Sequence, residues 1–393
     1  MTVVSARAGR SGALGVLLLG STLTVMAGAV LAPVIELMRT ERGFSATAAG
    51  LVVTVHGVSL ALAGPAVGWL VDRWGTRRPL AAGLLLYGLA GGAGLVVESY
   101  PLLIATRLAF GIGAAFVFTG TTVELLDRYG GPLRDKVMGW RSAAISLGGV
   151  VWPLVGGALG AISWHAPFAV YLLGVPLAAL TWRMADRPRP EPAVRAGRGP
   201  LALFAGRPGL LAVYALQGIA TALLYAVLVF LPVRLGELGV TSTVAVAVFT
   251  ASLSVAMSGV GLGYTRLRSR VDHSGLLLAA FALWTVALLA IGLAGAVALP
   301  LVAVGLFGAG MGVAVPALTV LTGDLAPTSH RGQATALLAT AGFGGQFLSP
   351  LLFGPLSSAT STRATFVVAA ALAGATGLTL LGYRWRRERV AYL

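Results

Sequence analysis

Cysteine is absent from the 393-residue chain, which excludes a disulfide framework, a thiolate metal site and a cysteine nucleophile, and leaves the redox compartment open. Charge is scarce too: Asp, Glu, Lys and Arg together make 10% of the residues, against roughly a quarter in soluble globular domains. With 57% of the residues hydrophobic, a water-facing surface cannot be assembled from what remains. The polar and apolar alternation of membrane barrel strands is also missing. The apolar runs, each near the 20 or so residues that cross a bilayer, must therefore satisfy their backbone groups as helices. Lysine is confined to Lys136, against 27 arginines, a bias that points to a GC-rich bacterial genome.

What is present is a series of twelve apolar runs. The predicted spans are 13–38, 47–71, 79–97, 101–126, 138–162 and 166–184, then 209–232, 242–264, 275–296, 298–322, 334–357 and 365–383. The net charge of +15 does not read as a nucleic-acid surface, because the basic residues follow the loops of one membrane side. Of the 28 basic residues, 23 fall in the even-numbered turns and the two tails. The odd-numbered turns hold only Arg39, Arg42, Arg234 and Arg363, and the one basic residue left over from this count is Arg107, inside span four. The positive-inside rule then puts both termini in the cytoplasm. Arg7 and Arg10 ahead of an apolar run imitate a secretory signal, but the run is too long for one and reads as an uncleaved first span.

Residues 185–208, rich in Pro, Gly and Arg, form a cytoplasmic linker between two halves, 13–184 and 209–383, flanked by tails 1–12 and 384–393. A shift of 197 residues superimposes Gly111 on Gly308, Gly113 on Gly310, Gly148 on Gly345, Pro153 on Pro350 and Gly157 on Gly354. Duplicated six-helix units are a mark of secondary transporters, whose substrate site lies near mid-membrane between the repeats. The expected fold is all-α and membrane-integral: twelve transmembrane helices as two pseudo-symmetric six-helix bundles.

Three motifs carry a resemblance to a known family. After the second span stand Gly68, Asp72, Arg73, Gly75, Arg77 and Arg78, an order more specific than topology requires. Gly75 permits a backbone reversal, and Asp72 at a helix end can pair with arginines and helix N-terminal amides. The fourth span holds Leu103, Arg107, Gly111 and Gly113. The fifth holds Gly139, Gly148, Trp152, Pro153, Gly156 and Gly157. These resemble, in turn, the signature loop of the major facilitator superfamily, a motif of its proton-coupled members, and the antiporter motif of its drug-exporting members, which has Gly where Trp152 stands. The second half is degenerate: Arg266, Arg268 and Arg270 follow the eighth span, but Ser269 occupies the slot matching Asp72. Asp324, Pro327, Arg331 and Gly332 resemble the family's usual turn between spans ten and eleven, with Asp127 and Arg134 as their counterparts one repeat earlier.

The resemblance implies export of lipophilic small molecules, drug-like compounds or natural products, by proton antiport with alternating access. No enzyme, cofactor, metal or nucleic acid enters this reading. Its partners are the lipid bilayer, the substrate and protons, and the expected form is a monomer in a bacterial plasma membrane. Counting back from Pro33, the positions where several drug exporters carry first-span acids hold Ala29 and Ser21, so the usual coupling scheme is missing a carboxylate. The remaining proton-coupling candidates are Glu36, Arg107, His56 and Glu124, with a Glu36–Arg107 pair favoured. Arg107 reads either as a functional group or as a structural one that snorkels outward or staples spans one and four together. By resemblance, the substrate cavity draws on Ser21, Thr22, Phe110, Phe118, Tyr214, Gln217, Tyr225, Phe307, Met311, Phe343 and Gln346, an aromatic and apolar set suited to lipophilic molecules. The alternative function is proton-coupled import of a small organic acid, its carboxylate bound by Arg107.

Overall fold

The computed structural model describes the backbone of residues 2–184, 208–326 and 331–391, and their side chains except at 2–11, 72, 131, 132, 135, 208, 331, 332 and 384–391. The expected linker, Pro327, and the side chains of Asp72, Arg331 and Gly332 lie outside these residues. All described regular structure is helical.

The first six helices are α1 Gly12–Arg42, α2 Ala46–Val71, α3 Arg77–Gly92, α4 Tyr100–Arg128, α5 Gly131–Gly160 and α6 Ala166–Trp182. The second six are α7 Pro208–Glu237, α8 Thr243–Leu262, α9 His273–Leu293, α10 Ala298–Leu325, α11 Arg331–Ala359 and α12 Thr362–Ala391. Ten of the twelve are long and apolar enough to cross a membrane, and α3 and α6 are shorter. Both short ones are extended by 3₁₀ turns, Ala93–Leu95 after α3 and Ala166–Leu173 within α6. At about 2.0 Å rise per 3₁₀ residue and 1.5 Å per α residue, each reaches about 30 Å, the thickness of a hydrocarbon core. The expected spans coincide with these helices to within five residues except at two ends: α5 begins at Gly131, ahead of the expected 138, and α12 runs on to Ala391, past the expected 383.

Two helices are broken. The helix that begins at Thr2 and becomes α1 ends at Ala29 and resumes at Ile35 after a short 3₁₀ turn containing Pro33, whose missing N–H and fixed φ account for the interruption. The second break, at Val55 in α2, separates Ala46–Thr54 from His56–Trp74 and has no proline to announce it.

The chain divides into two compact units, Met1–Val34 with Val52–Arg195, and Ile35–Leu51 with Ala196–Leu393. In the first unit the principal helix pairs are α1 with α5, α2 with α4, α3 with α4, and α3 with α6. In the second they are α7 with α11, α8 with α10, α9 with α10, and α9 with α12, the same pairs one repeat later.

The repeat holds down to single atoms. A Cβ on Gly111 would strike the His56 carbonyl, and one on Gly308 would strike the Leu253 carbonyl, positions 197 apart. A Cβ on Gly113 would meet Gly83 O and Tyr87, and one on Gly310 would meet Ala280 O and Trp284. These glycines let α4 and α10 touch the backbones of their neighbours, the close approach that joins helices where lipid supplies no hydrophobic drive.

Candidate functional site

The conspicuous chemistry lies in the first unit, around Arg107 of α4, which has no exposed surface. Its Nε donates to the Val52 carbonyl at 3.1 Å, three residues before the α2 break. Its Nη2 donates to the Ala27 carbonyl at 2.8 Å, in the last turn before the α1 break. Tyr171 of α6 donates to that same Ala27 oxygen at 2.9 Å, and Tyr87 of α3 donates to the Leu23 carbonyl at 2.7 Å. The carbonyls of Ala27 and Val52 lie in the last turns of their helix segments, where intrahelical partners are lost, and the Arg107 and Tyr171 donors replace them.

Aromatic rings close the box. The Arg107 guanidinium carbon lies 4.1 Å from the Phe110 ring centre and 4.9 Å from that of Tyr171. Phe110 packs against Tyr87 at 4.4 Å, Tyr171 at 4.8 Å and His56 at 5.5 Å, edge to face with the last two. In hydrocarbon a guanidinium carries an insertion cost of at least about 2.5 kcal/mol, and carbonyl dipoles and ring faces are what offset it here.

At the corresponding positions of the second unit stand Leu253, Trp284, Val304, Phe307 and Val368 in place of His56, Tyr87, Arg107, Phe110 and Tyr171. Trp284 donates its indole N–H to the Phe307 carbonyl at 3.1 Å and stacks on that ring at 5.6 Å. One scaffold is built twice, with charge in one copy only.

The expected Glu36–Arg107 pair is not what holds either residue. Glu36 pairs with Arg39 at 2.6 Å, one turn along the same helix. Its carboxylate would also face a Cβ placed on Gly236 of α7. Glu124, near the end of α4, pairs with Arg128. His56 is buried beside Phe110.

On α5, Gly148 lies against Thr22 and Val25 of α1, and a Cβ on Gly156 would collide with the Val30 carbonyl. Between them Trp152 donates its indole N–H to the Thr22 carbonyl at 3.1 Å. Gly139 has nothing within 4 Å of its Cβ position, so it packs on no neighbour. In the turn after α2, Gly75 has φ 81° and ψ 166°, a region open essentially to glycine alone. Gly68 has no neighbour within 4 Å of its Cβ position. Arg73 lies over Trp69, and Arg77 donates to the Met184 carbonyl at 3.0 Å at the end of α6. Arg78 is exposed.

The expected cavity residues divide. Phe110, Phe307 and Met311 are enclosed in the packing of their own units. Ser21 and Thr22 spend their hydroxyls on the Leu17 and Leu19 carbonyls, each at 2.8 Å. Tyr214 donates to the Ala334 carbonyl at 3.1 Å, and Gln217 to the Thr221 hydroxyl at 3.2 Å. Gln346 is buried, Tyr225 and Phe343 are half-buried, and Phe118 is 38% exposed.

Sequence reasoning passed over Tyr87 and Tyr171, whose aromatic rings in apolar runs carry no mark of a polar role. It also passed over Arg141, counted with the turn before α5. In the structure Arg141 lies inside the membrane-crossing part of that helix, Lys136–Gly160. The available signal was its spacing of seven residues from Gly148, which puts both on one helix face.

The family model described as Major Facilitator Superfamily matches residues 17–272 and 264–392. The chain is similar to "Multidrug resistance protein 1" of Bacillus subtilis, 33% identical over 162 residues, covering 39% of this chain and 41% of that protein. It is 35% identical over 171 residues to "Multidrug resistance protein B homolog" of Mycobacterium tuberculosis, covering 42% of this chain and 31% of that protein. It is 26% identical over 136 residues to "Quinolone resistance protein NorA" of Staphylococcus aureus, covering 35% of each. The matched stretches therefore span less than half the length of these relatives. Among solved structures, a bacterial homolog of the human lysosomal transporter Spinster superimposes with TM-score 0.77 at 17% identity, covering 95% of each chain. The nucleoside transporter NupG does so with TM-score 0.81 at 12% identity, covering 93% of this chain and 98% of that one. At these identities the likeness is one of fold.

Proposed function

Because this chain belongs to the major facilitator superfamily of membrane transporters, we propose that it exports lipophilic small molecules, drug-like compounds or natural products, in exchange for protons by alternating access. The observation that carries this reading is the seam between α5 and α1. Gly148 and Gly156 bring the two helices together, Pro153 removes one backbone bond within α5, and Trp152 ties the pair at Thr22. The seam contains the residues that resemble the antiporter motif, and relatives named for multidrug and quinolone resistance support the same direction.

Glu36, His56, Arg107 and Glu124 are the groups proposed to couple transport to protons. The breaks in α1 and α2 beside Arg107 are the joints at which coupling would act: a change in charge near its guanidinium alters how firmly the Ala27 and Val52 carbonyls are held. The asymmetry between units supports a division of labour, with His56, Arg107 and Glu124 in the first unit and apolar residues at the positions matching His56 and Arg107 in the second. The import reading, with a substrate carboxylate on Arg107, is disfavoured because the Nε and Nη2 edge that would take a carboxylate bidentately is already bonded to two backbone carbonyls, leaving only Nη1 unmet. The proposed setting is a bacterial plasma membrane, with a monomer whose termini are both cytoplasmic.

The test is uptake of lipophilic dyes and hydrophobic antibiotics into inverted membrane vesicles under an imposed pH gradient, comparing the parent chain with Glu36→Gln, His56→Ala and Arg107→Ala. Gradient-dependent uptake that at least one substitution abolishes is expected. Uptake unchanged after the gradient is collapsed would rule out proton exchange.

A further inference from the structure

Arg141 lies on α5 ten residues after the helix begins and inside its membrane-crossing part. Its Nε and Nη2 are enclosed and have no hydrogen-bond partner, and among the described residues Arg141 has no ion pair. Its one recorded neighbour contact is aromatic, with the guanidinium carbon 6.0 Å from the ring centre of Phe118 on α4. Glu124, the acid on α4 one helical stretch beyond Phe118, is engaged with Arg128. The ordinary account of a basic residue near a helix end is that it reaches lipid headgroups or sets topology. Lys136 and Trp140 fit that account, since the ammonium lies over the indole at 5.2 Å and Trp140 is 41% exposed. Arg141 does not, because its donors are turned inward, onto the face that carries Gly148 and Trp152.

The two unbonded nitrogens are informative as a pair. Nε and Nη2 form one edge of the guanidinium fork and present two parallel N–H groups, the edge that takes a carboxylate bidentately. Leaving such donors enclosed and unmet is costly, and an anion that reached them would relieve the cost. Arg107, a guanidinium of the same unit, differs in the edge left open: its Nε and Nη2 are both bonded to backbone carbonyls and only the single nitrogen Nη1 is unmet, so it has no free bidentate edge. Phe118, the most exposed of the residues assigned above to the cavity, gives the ligand a ring to stack on.

We infer that Arg141 and Phe118 form a recognition site for lipophilic molecules that bear a carboxylate. The inference rests on the export reading and narrows its substrate class from lipophilic compounds in general to organic acids with an aromatic or apolar body.

The experiment uses the full chain reconstituted in phosphatidylcholine nanodiscs, so that no anionic headgroup competes, with 2-naphthoate and its methyl ester as probes. Binding is read by quenching of tryptophan fluorescence and confirmed by calorimetry. The parent chain should bind the acid at least about tenfold more tightly than the ester, the effect of one charge-assisted bidentate contact. Arg141→Gln should erase that preference and leave ester binding within about twofold. Arg141→Lys, which keeps the charge and stands in should the glutamine variant not fold, should retain only part of the preference. Phe118→Ala should weaken acid and ester alike. Equal binding of acid and ester by the parent chain, or a preference unaltered by both Arg141 variants, overturns the inference. Gradient-driven uptake of a neutral dye reports on the export reading separately, since no carboxylate is involved.

Discussion

The indole N–H of Trp152 on α5 donates to the carbonyl of Thr22 on α1 at 3.1 Å. In the motif that α5 resembles, glycine stands at this position, so the chain has replaced empty space between two helices with a large ring and a tether. Gly148 makes room for it, since a Cβ there would lie 3.1 Å from the indole nitrogen.

Trp152→Phe keeps most of the ring and removes the donor. It should lower stability by about 1 kcal/mol, the net worth of one buried hydrogen bond. Trp152→Gly, which restores the usual residue, should cost more, about 3 to 5 kcal/mol, because it opens a cavity. Chemical or thermal unfolding in detergent would measure both, and a glycine variant as stable as the parent would show that the ring is not seated between α1 and α5.

The box around Arg107 sets an order of severity. Arg107→Ala strands the Val52 carbonyl and weakens the hold on Ala27 in a lipid-buried site, at a cost of about 2 to 5 kcal/mol. Arg107→Lys retains a charge but cannot span both carbonyls, so it should fall between. Tyr171→Phe should cost about 1 kcal/mol, since Arg107 still holds Ala27. Unfolding midpoints in the reverse order would contradict the assignment of these bonds.

The repeat makes a paired prediction. Gly111→Ala and Gly308→Ala place a methyl against equivalent carbonyls, His56 and Leu253, and each should destabilise by about 1 to 3 kcal/mol. Gly139→Ala meets nothing within 4 Å and should be neutral or stabilising by up to about 1 kcal/mol. Size-exclusion profiles after heating would separate the three, and a Gly139 variant as damaged as the other two would refute the packing.

At Gly75 the backbone, not the space around it, is limiting. With φ 81° and ψ 166°, alanine and asparagine should both cost about 1 to 3 kcal/mol, because this region lies outside the left-handed helical one that asparagine tolerates. Rescue by asparagine would indicate a different turn.

Much of the fold is legible in the sequence because bilayer thickness and helix rise fix span length. Charge bias and the 197-residue offset add orientation and duplication as expectations. The site is legible only in part. Arg107 stands out as a base well inside an apolar span, far from either turn. Its partners do not: a backbone carbonyl has no signature in a sequence, so Glu36 looks the natural counterion although Arg39 holds it at 2.6 Å. The α1 break is foreshadowed by Pro33, whereas the break at Val55 depends on how α2 and α4 meet. Phe110 and Phe307 read as cavity residues because they lie in spans four and ten, but the face each presents is decided by the glycines beside them. Arg141 escapes notice for a similar reason, because whether a base near a helix end points outward or inward depends on the rotation of the helix.

The chain order of the Arg107 cluster bears on how the protein is made. Ala27 and Val52 precede Arg107 in the sequence, while Tyr171 follows it. A ribosome delivering the chain from its amino end would release both acceptor carbonyls into the bilayer before the guanidinium that needs them. The span that carries the buried guanidinium would thus follow its two acceptors into the bilayer, and the tyrosine that shares the Ala27 carbonyl would come last.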